Sequence, residues 1–180
     1  MSISEPAPAP EPRATVAAGP RPRLMAVCAG VFALALAVDQ ITKAWAESAL
    51  AGGRVIEVLD PVMQLRLVRN PGAAFSFATN ATWIFTIIAS VVVVAVAVAA
   101  RRLGSAWWAV ALGLLAGGAC GNLVDRLVRP PAVGRGHVID FLEWPNFPVF
   151  NVADSCVVTA AIMIAVAALR GVSLDGRRHD

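Results

Sequence analysis

Gly117-Gly-Ala-Cys-Gly-Asn-Leu-Val-Asp-Arg126 opens a stretch that joins two apolar runs and closes with Phe150-Asn-Val-Ala-Asp-Ser155. The short polar connection between these runs carries a third aspartate, in Val138-Ile-Asp-Phe141. In both flanking segments an asparagine precedes the aspartate by three residues, and such a pair shares one face of a helix. Carboxylates at the ends of membrane helices are costly unless they face one another or a wet cavity, so this stretch is the candidate active site.

The composition is that of a membrane protein. Of 180 residues, 58% are hydrophobic and 15% are charged, whereas a soluble domain has about 25% charged residues. The net charge of +3 does not predict nucleic-acid binding, because the arginines are scattered between apolar runs and form no single patch. The three cysteines lie inside apolar runs at spacings that fit neither a metal site nor a disulfide framework. We expect them to be small packing residues.

Four apolar runs approach the length of about 20 residues that crosses a bilayer. We place them at residues 24–45, 83–100, 106–124 and 149–169. Residues 1–23 are rich in proline and alanine without periodicity and are predicted to be disordered. The sequence therefore predicts a mainly α membrane protein with four transmembrane helices and a short tail at residues 171–180.

The first apolar run has an alternative interpretation. A shorter apolar run of about 15 residues after a basic flank also describes a cleavable signal peptide, and Ala35-Leu-Ala37 offers a cleavage site. Asp39 and Lys43 favour a retained helix instead, because an acid and a base four residues apart can pair on one helix face.

Two connections carry the extramembrane structure. Residues 46–80 alternate polar and apolar side chains between turn signals, which predicts a small sheet of two to four strands, with an irregular loop as the alternative. Their closing segment, Asn70-Pro-Gly-Ala-Ala-Phe-Ser-Phe77, is rich in small residues that allow close backbone approach. Residues 128–148 are expected to form a loop or short helix on the bilayer surface, covering the substrate.

The order of the spans places the polar residues at one face of the membrane. Four spans put both termini on the same side, and the termini with the Arg101-Arg102 turn carry slightly more arginines than the opposite loops. This weakly favours cytoplasmic termini. In the third span Gly113, Gly117 and Gly121 recur every four residues, a ridge that lets helices pack closely.

The residue types favour aspartic peptide hydrolysis over other chemistries. The histidines, His137 and His179, form no metal-binding motif, and no serine or cysteine has a suitably placed base. Two close carboxyl groups can share one proton, so that one activates water and the other protonates the scissile carbonyl without any cofactor. Each aspartate alone is better explained as a helix cap or ion-pair partner, and only the three together favour a catalytic function. Spacing does not decide which two of the three aspartates act.

Five motifs in order resemble those of lipoprotein signal peptidase, also called signal peptidase II. They are Asp39-Gln-Ile-Thr-Lys43, Asn70-Pro-Gly-Ala-Ala-Phe-Ser-Phe77, Gly117 to Arg126, Val138-Ile-Asp-Phe141 and Phe150-Asn-Val-Ala-Asp-Ser155. The resemblance covers residues 24–170. It implies a multi-pass aspartic peptidase of the bacterial plasma membrane, acting at the extracytoplasmic face. The implied substrates are diacylglyceryl-modified prolipoproteins, cut before the lipid-modified cysteine. Membrane lipids are the other expected partner, and a monomer is expected.

The resemblance also implies roles for single residues. By motif, the catalytic pair is Asp140 and Asp154. The residues expected to hold substrate backbone or lipid carbonyls are Asn70, Gly72, Asn122, Arg126 and Asn151. The residues expected to brace the site are Asp39, Lys43 and Asp125. No metal or cofactor is implied.

Two other functions stay open. A presenilin-type protease would carry a G-x-G-D motif deep in a helix, and the glycine ridge leads to no such motif here. An ion-coupled transporter would place its carboxylates near the middle of the bilayer, whereas these lie at the ends of the spans.

Overall fold

The computed structural model describes residues 21–59, 61–72 and 82–177. Residues 1–20, residues 73–77 of the second motif and the last three residues therefore lie outside the described part. Four long helices are described: α1 Pro22–Ala49, α2 Thr82–Ala99, α3 Ala106–Val128 and α4 Val152–Leu169. Single 3₁₀ turns, Ala51–Gly53 and Ala100–Arg102, follow α1 and α2. All four helices are long and apolar enough to span a membrane, which agrees with the four predicted spans.

Helix α3 occupies the centre of the bundle. Among the 18 consecutive residues of α3 with the highest mean hydropathy, 56% are buried, against 17% or less in the corresponding segments of the other three helices. An added Cβ at Gly113 would lie 2.7 Å from the carbonyl oxygen of Cys28, and one at Gly117 would lie 2.7 Å from Cβ of Ala35. The glycine ridge therefore lets α1 and α3 run parallel at backbone contact. On the other side of α3, Gly118 packs directly on α4.

The start of α4 differs from the predicted span. Asn151 is extended, with φ −137° and ψ −176°, and forms a capping box with Asp154. Its side chain accepts a hydrogen bond from the Asp154 amide, while the Asp154 carboxylate accepts one from the Asn151 amide. The helix consequently begins at Val152 and not at residue 149. The second asparagine–aspartate pair is thus a helix cap, and its members do not share a helix face.

The extramembrane sheet has three antiparallel strands: β1 Val55–Leu59, β2 Met63–Asn70 and β3 Val138–Glu143. The first two lie where the sequence predicts strands. The third lies within residues 128–148, where we expected a loop or short helix. The first four residues of β3 are all buried, so this strand has none of the polar and apolar alternation that identifies a half-exposed strand.

Strand β3 fixes the sheet to the end of the helix bundle. Ile139 and Phe141 pack with Ala46 and Leu50 near the end of α1. The register of β2 and β3 then places Asp140 opposite Val68. As a result, the polar residues of β2 and β3 lie beside the first turn of α4. The last turns of α1 and α3 end at the same place, which is here called the sheet end of the bundle.

Candidate active site

Asp140 lies in the buried part of β3, with 2% of its surface exposed. Asn70 Nδ2 donates to its Oδ2 at 2.8 Å, and Asn151 Nδ2 donates to its Oδ1 at 2.6 Å. Burial raises the pKa of Asp140 to about 6; the hydrogen bond from Asn70 opposes this shift and the negative charge of Asp154 adds to it. This carboxyl group therefore holds its proton to a much higher pH than a solvated aspartate does.

Asp154 lies beside Asp140 in the first turn of α4. Its Oδ1 accepts from Asn122 Nδ2 at 2.9 Å, and its Oδ2 accepts from the Asn151 amide at 3.1 Å. Asn151 contacts both carboxyl groups, because its backbone amide donates to Asp154 Oδ2 while its Nδ2 donates to Asp140 Oδ1. One fully buried asparagine therefore holds the two acids next to each other.

Lys43 supports this pair from α1. Its ammonium bonds Asp39 Oδ2 at 2.9 Å, Asp125 Oδ2 at 2.8 Å and Asn122 Oδ1 at 2.9 Å. All three donors of the ammonium group are thus occupied, and the side chain has no exposed surface. Because the ammonium binds the Asn122 carbonyl, the NH₂ group of Asn122 is left to face Asp154. The ion pair predicted between Asp39 and Lys43 is present.

Asp125 differs from the other two aspartates in its surroundings. It is fully buried and is paired with Lys43 and with Arg129, whose Nε lies 2.7 Å from Oδ1. Its Oδ2 also accepts from the Ile139 amide at 3.2 Å. Asp125 therefore connects α1, α3 and β3, which is the kind of polar network expected for a structural residue.

Arg126 points a buried guanidinium at the same site. The residue is 8% exposed, and its Cζ lies 5.2 Å from the centre of the Phe85 ring. Among the residues that the structure describes, its Nη1 has no hydrogen-bond partner. Leaving a buried donor unpaired costs roughly 1 to 3 kcal/mol. An acceptor on a bound ligand would recover that free energy.

Gly72 turns the chain beside this arginine. Its amide donates to Asn70 Oδ1 at 2.8 Å, which orients the Asn70 amide towards Asp140. Its φ of +109° favours glycine, and an added Cβ would lie 2.7 Å from the Phe85 ring.

Three residues of the site were not predicted from the sequence. Gln40 donates to Asp39 Oδ2 at 3.1 Å and to the Gly121 carbonyl at 3.0 Å. Arg129 pairs with Asp125 and also binds Glu47 at the end of α1. The spacing of four residues between Asp125 and Arg129 is the signal that could have revealed this pair.

The described residues contain no group of three histidine, cysteine or acidic side chains able to hold a metal ion. The side chains that meet at this site are carboxyl groups, amides and three cations, Lys43, Arg126 and Arg129. Two neighbouring carboxyl groups, one of them with a raised pKa, can divide the work of general base and general acid.

Comparison with known proteins gives a consistent result. Residues 31–170 match the family model described as Signal peptidase (SPase) II. The lipoprotein signal peptidase of Rhodococcus jostii is 50% identical over 155 residues, which cover 86% of this chain and 77% of that protein. The lipoprotein signal peptidase of Mycobacterium avium is 47% identical over 171 residues, covering 93% and 94%. A solved bacterial membrane enzyme, determined by the in meso method, has a TM-score of 0.72 at 26% identity, covering 86% of this chain and 94% of its own.

The fold and these matches define a multi-pass bacterial membrane peptidase of the aspartic type. The chain belongs to the signal peptidase II family, whose members remove signal peptides from prolipoproteins. The family, the activity and the fold class predicted from the sequence are thereby confirmed.

Proposed function

We propose that Asp140 and Asp154 are the catalytic pair and that Asp125 is structural. The observation that carries this assignment is the arrangement around Asn151, which donates from its side chain to the Asp140 carboxyl group and from its backbone amide to the Asp154 carboxyl group. Asp125 is instead paired with two cations, Lys43 and Arg129, so both of its oxygens are engaged in ion pairs that join the helices.

In the proposed reaction Asp154 acts as the base and Asp140 as the acid. The Asp154 carboxyl group accepts hydrogen bonds from Asn122 Nδ2 and from the Asn151 amide, while burial raises the pKa of Asp140 and favours its protonated form. Asp154 takes a proton from water as the water oxygen attacks the scissile carbonyl carbon, and Asp140 gives its proton to the carbonyl oxygen. The tetrahedral intermediate is a gem-diol. As its C–N bond breaks, the proton held by Asp154 passes to the departing amine, and one hydroxyl group of the gem-diol returns a proton to Asp140 while the carbonyl re-forms.

The substrate in this proposal is a diacylglyceryl-modified prolipoprotein, cut before its lipid-modified cysteine. Nη1 of Arg126, which has no hydrogen-bond partner in the described part of the chain, supplies a donor for a carbonyl of the peptide or the lipid. We expected Asn70, Asn122 and Asn151 to bind substrate as well, but their amides donate to the two carboxyl groups. We therefore assign these asparagines the task of positioning the acids. The backbone turn at Gly72 remains a predicted substrate contact.

We place the sheet end of the bundle at the extracytoplasmic surface and both termini in the cytoplasm. The sheet would cradle the substrate from above. Trp144 and Phe147, which are about half exposed, form edge-to-face contacts with Phe150 and present apolar surface to the bilayer interface. Both acids belong to one chain, which supports an active monomer.

The test is cleavage of a lipid-modified precursor by purified protein in lipid. Asp140→Asn and Asp154→Asn should each fold and insert, yet lose at least about 10³-fold in kcat/KM. Asp175→Asn, which changes an aspartate at the opposite end of the bundle, is the matched control and should cleave normally. Near-normal turnover by either active-site variant would refute the assignment. Ion flux into proteoliposomes without any cleavage would support the transporter alternative.

A further inference from the structure

A second charged region lies at the end of the bundle opposite the two acids. It is formed by the start of α1, the α2–α3 connection and the segment after α4, and is here called the arginine end. Its exposed arginines are Arg21, Arg23, Arg101, Arg102, Arg170 and Arg177. Among the described residues of this region the one acidic side chain is Asp175. The arginine end therefore has a large excess of positive charge.

The arginine end contains a cavity of about 340 Å³ between the start of α3 and the end of α4. Arg170 and Ser105 supply its polar side chains, and the Ser105 hydroxyl makes no capping bond to α3. The apolar part of the wall comes from Trp107, Val166 and Val172. One cavity thus combines a guanidinium group with an apolar surface.

Tertiary contacts build the floor of this cavity. The Gly104 amide donates to the Leu174 carbonyl at 2.9 Å, and Arg21 Nη1 donates to the Gly104 carbonyl at 2.8 Å. Trp108 Nε1 donates to the Val172 carbonyl at 3.0 Å. The segment after α4 is therefore held against the α2–α3 connection, and the cavity is a defined feature of the fold.

The cavity lies at the depth of lipid headgroups. Helix α3 has 23 residues, which span roughly 35 Å, so its start and its aspartate-bearing end lie near opposite faces of a bilayer with a core of about 30 Å. Trp107, 42% exposed, has its indole N–H bonded to the Met163 carbonyl. Tryptophan is enriched at this level of membranes because its ring is apolar and its N–H is polar.

We propose that this cavity binds the headgroup of an anionic phospholipid. Arg170 would bind the phosphate oxygens, and the Ser105 hydroxyl would add a hydrogen bond. Trp107 and Val166 would contact the glycerol and the first acyl carbons. The surrounding arginines favour a headgroup with net negative charge over a zwitterionic one, whose ammonium they would repel. This site does not depend on the roles proposed for the aspartates.

The experiment measures lipid binding to the purified full chain in detergent by native mass spectrometry. The probe is dioleoyl phosphatidylglycerol, with dioleoyl phosphatidylcholine as the zwitterionic comparison. Arg170→Gln should weaken binding of the anionic lipid by about tenfold, the loss expected for a charged hydrogen bond. Arg101→Gln removes the same charge at the same end without lining the cavity and should weaken binding less than about twofold.

A second variant tests whether lipid binding needs the open volume of the cavity as well as its positive charge. Val166→Trp fills the cavity and keeps every arginine, so it should also lose binding of phosphatidylglycerol while retaining precursor cleavage. Equal losses for Arg170→Gln and Arg101→Gln would show a diffuse charge effect and overturn the proposal. Equal binding of the two lipids, or normal binding by Val166→Trp, would overturn it too. Displacement of the lipid by millimolar inorganic phosphate would assign the cavity to a soluble anion instead.

Discussion

At the sheet end of the bundle, Lys43 is completely buried and pairs with two buried acids, Asp39 and Asp125. At the arginine end, by contrast, Arg101 and Arg102 are exposed and carry charge of one sign. A charge removed from water must be paired and hydrogen-bonded, and this requirement determines the position of every neighbouring group. A charge left in water needs no partner and stays available to a ligand. Charged residues therefore build a rigid site at one end of the bundle and an open surface at the other.

Replacing Lys43 is expected to have the largest effect. Lys43→Met leaves Asp39 without its cation and frees the Asn122 carbonyl, and breaking a buried ion pair from one side costs roughly 3 to 5 kcal/mol. We expect a loss of this size in the free energy of unfolding, measured by detergent titration, together with loss of precursor cleavage.

Arg101→Gln is the matched control for Lys43→Met. It removes an exposed positive charge, so it should change the free energy of unfolding by less than about 0.5 kcal/mol. Comparable losses in the two variants would remove the distinction drawn between the two ends of the bundle.

A smaller effect is expected from adding one methyl group at the sheet end. An added Cβ at Gly121 would lie 2.9 Å from Cγ of Asp39 and closer still to its Oδ2, so Gly121→Ala must displace the partner of Lys43. We expect a loss of about 1 to 3 kcal/mol in the free energy of unfolding and slower precursor cleavage.

The control for Gly121→Ala lies in the half of α1 near the arginine end. No described atom lies within 4 Å of a Cβ added at Gly30, so Gly30→Ala should be neutral or stabilise the helix by up to about 1 kcal/mol. A stable, fully active Gly121→Ala variant would show that the buried network tolerates displacement.

The smallest predicted effect is a shift in pH dependence. If Asp140 must be protonated, log kcat/KM should fall as the pH rises through about 6, the pKa of Asp140. The hydrogen bond from Asn70 stabilises the ionised carboxylate and lowers this pKa. Asn70→Ala should therefore move the falling limb to higher pH, by up to about one unit. Arg101→Gln should leave the limb in place, and a shift to lower pH in Asn70→Ala would contradict the assigned role of Asp140.

The sequence predicted the features that depend on local pattern. Long apolar runs identified four helices, alternation identified β1 and β2, and the spacing of Asp39 and Lys43 identified their ion pair. Strand β3 was missed because its first four residues are all buried. The helix cap at Asn151 was interpreted as a helical pair because both arrangements place an asparagine three residues before an aspartate.

The sequence by itself determined the class of chain, the membrane spans and a set of three aspartates at one membrane face. Only the tertiary structure decided that Asp125 is paired with two cations, while Asn151 holds Asp140 beside Asp154. The physical reason is that the protonation of a carboxyl group depends on its burial and on the charges and donors around it. Those neighbours come from α1, β2, α3 and α4, segments far apart along the chain, and sequence spacing carries no information about their contact.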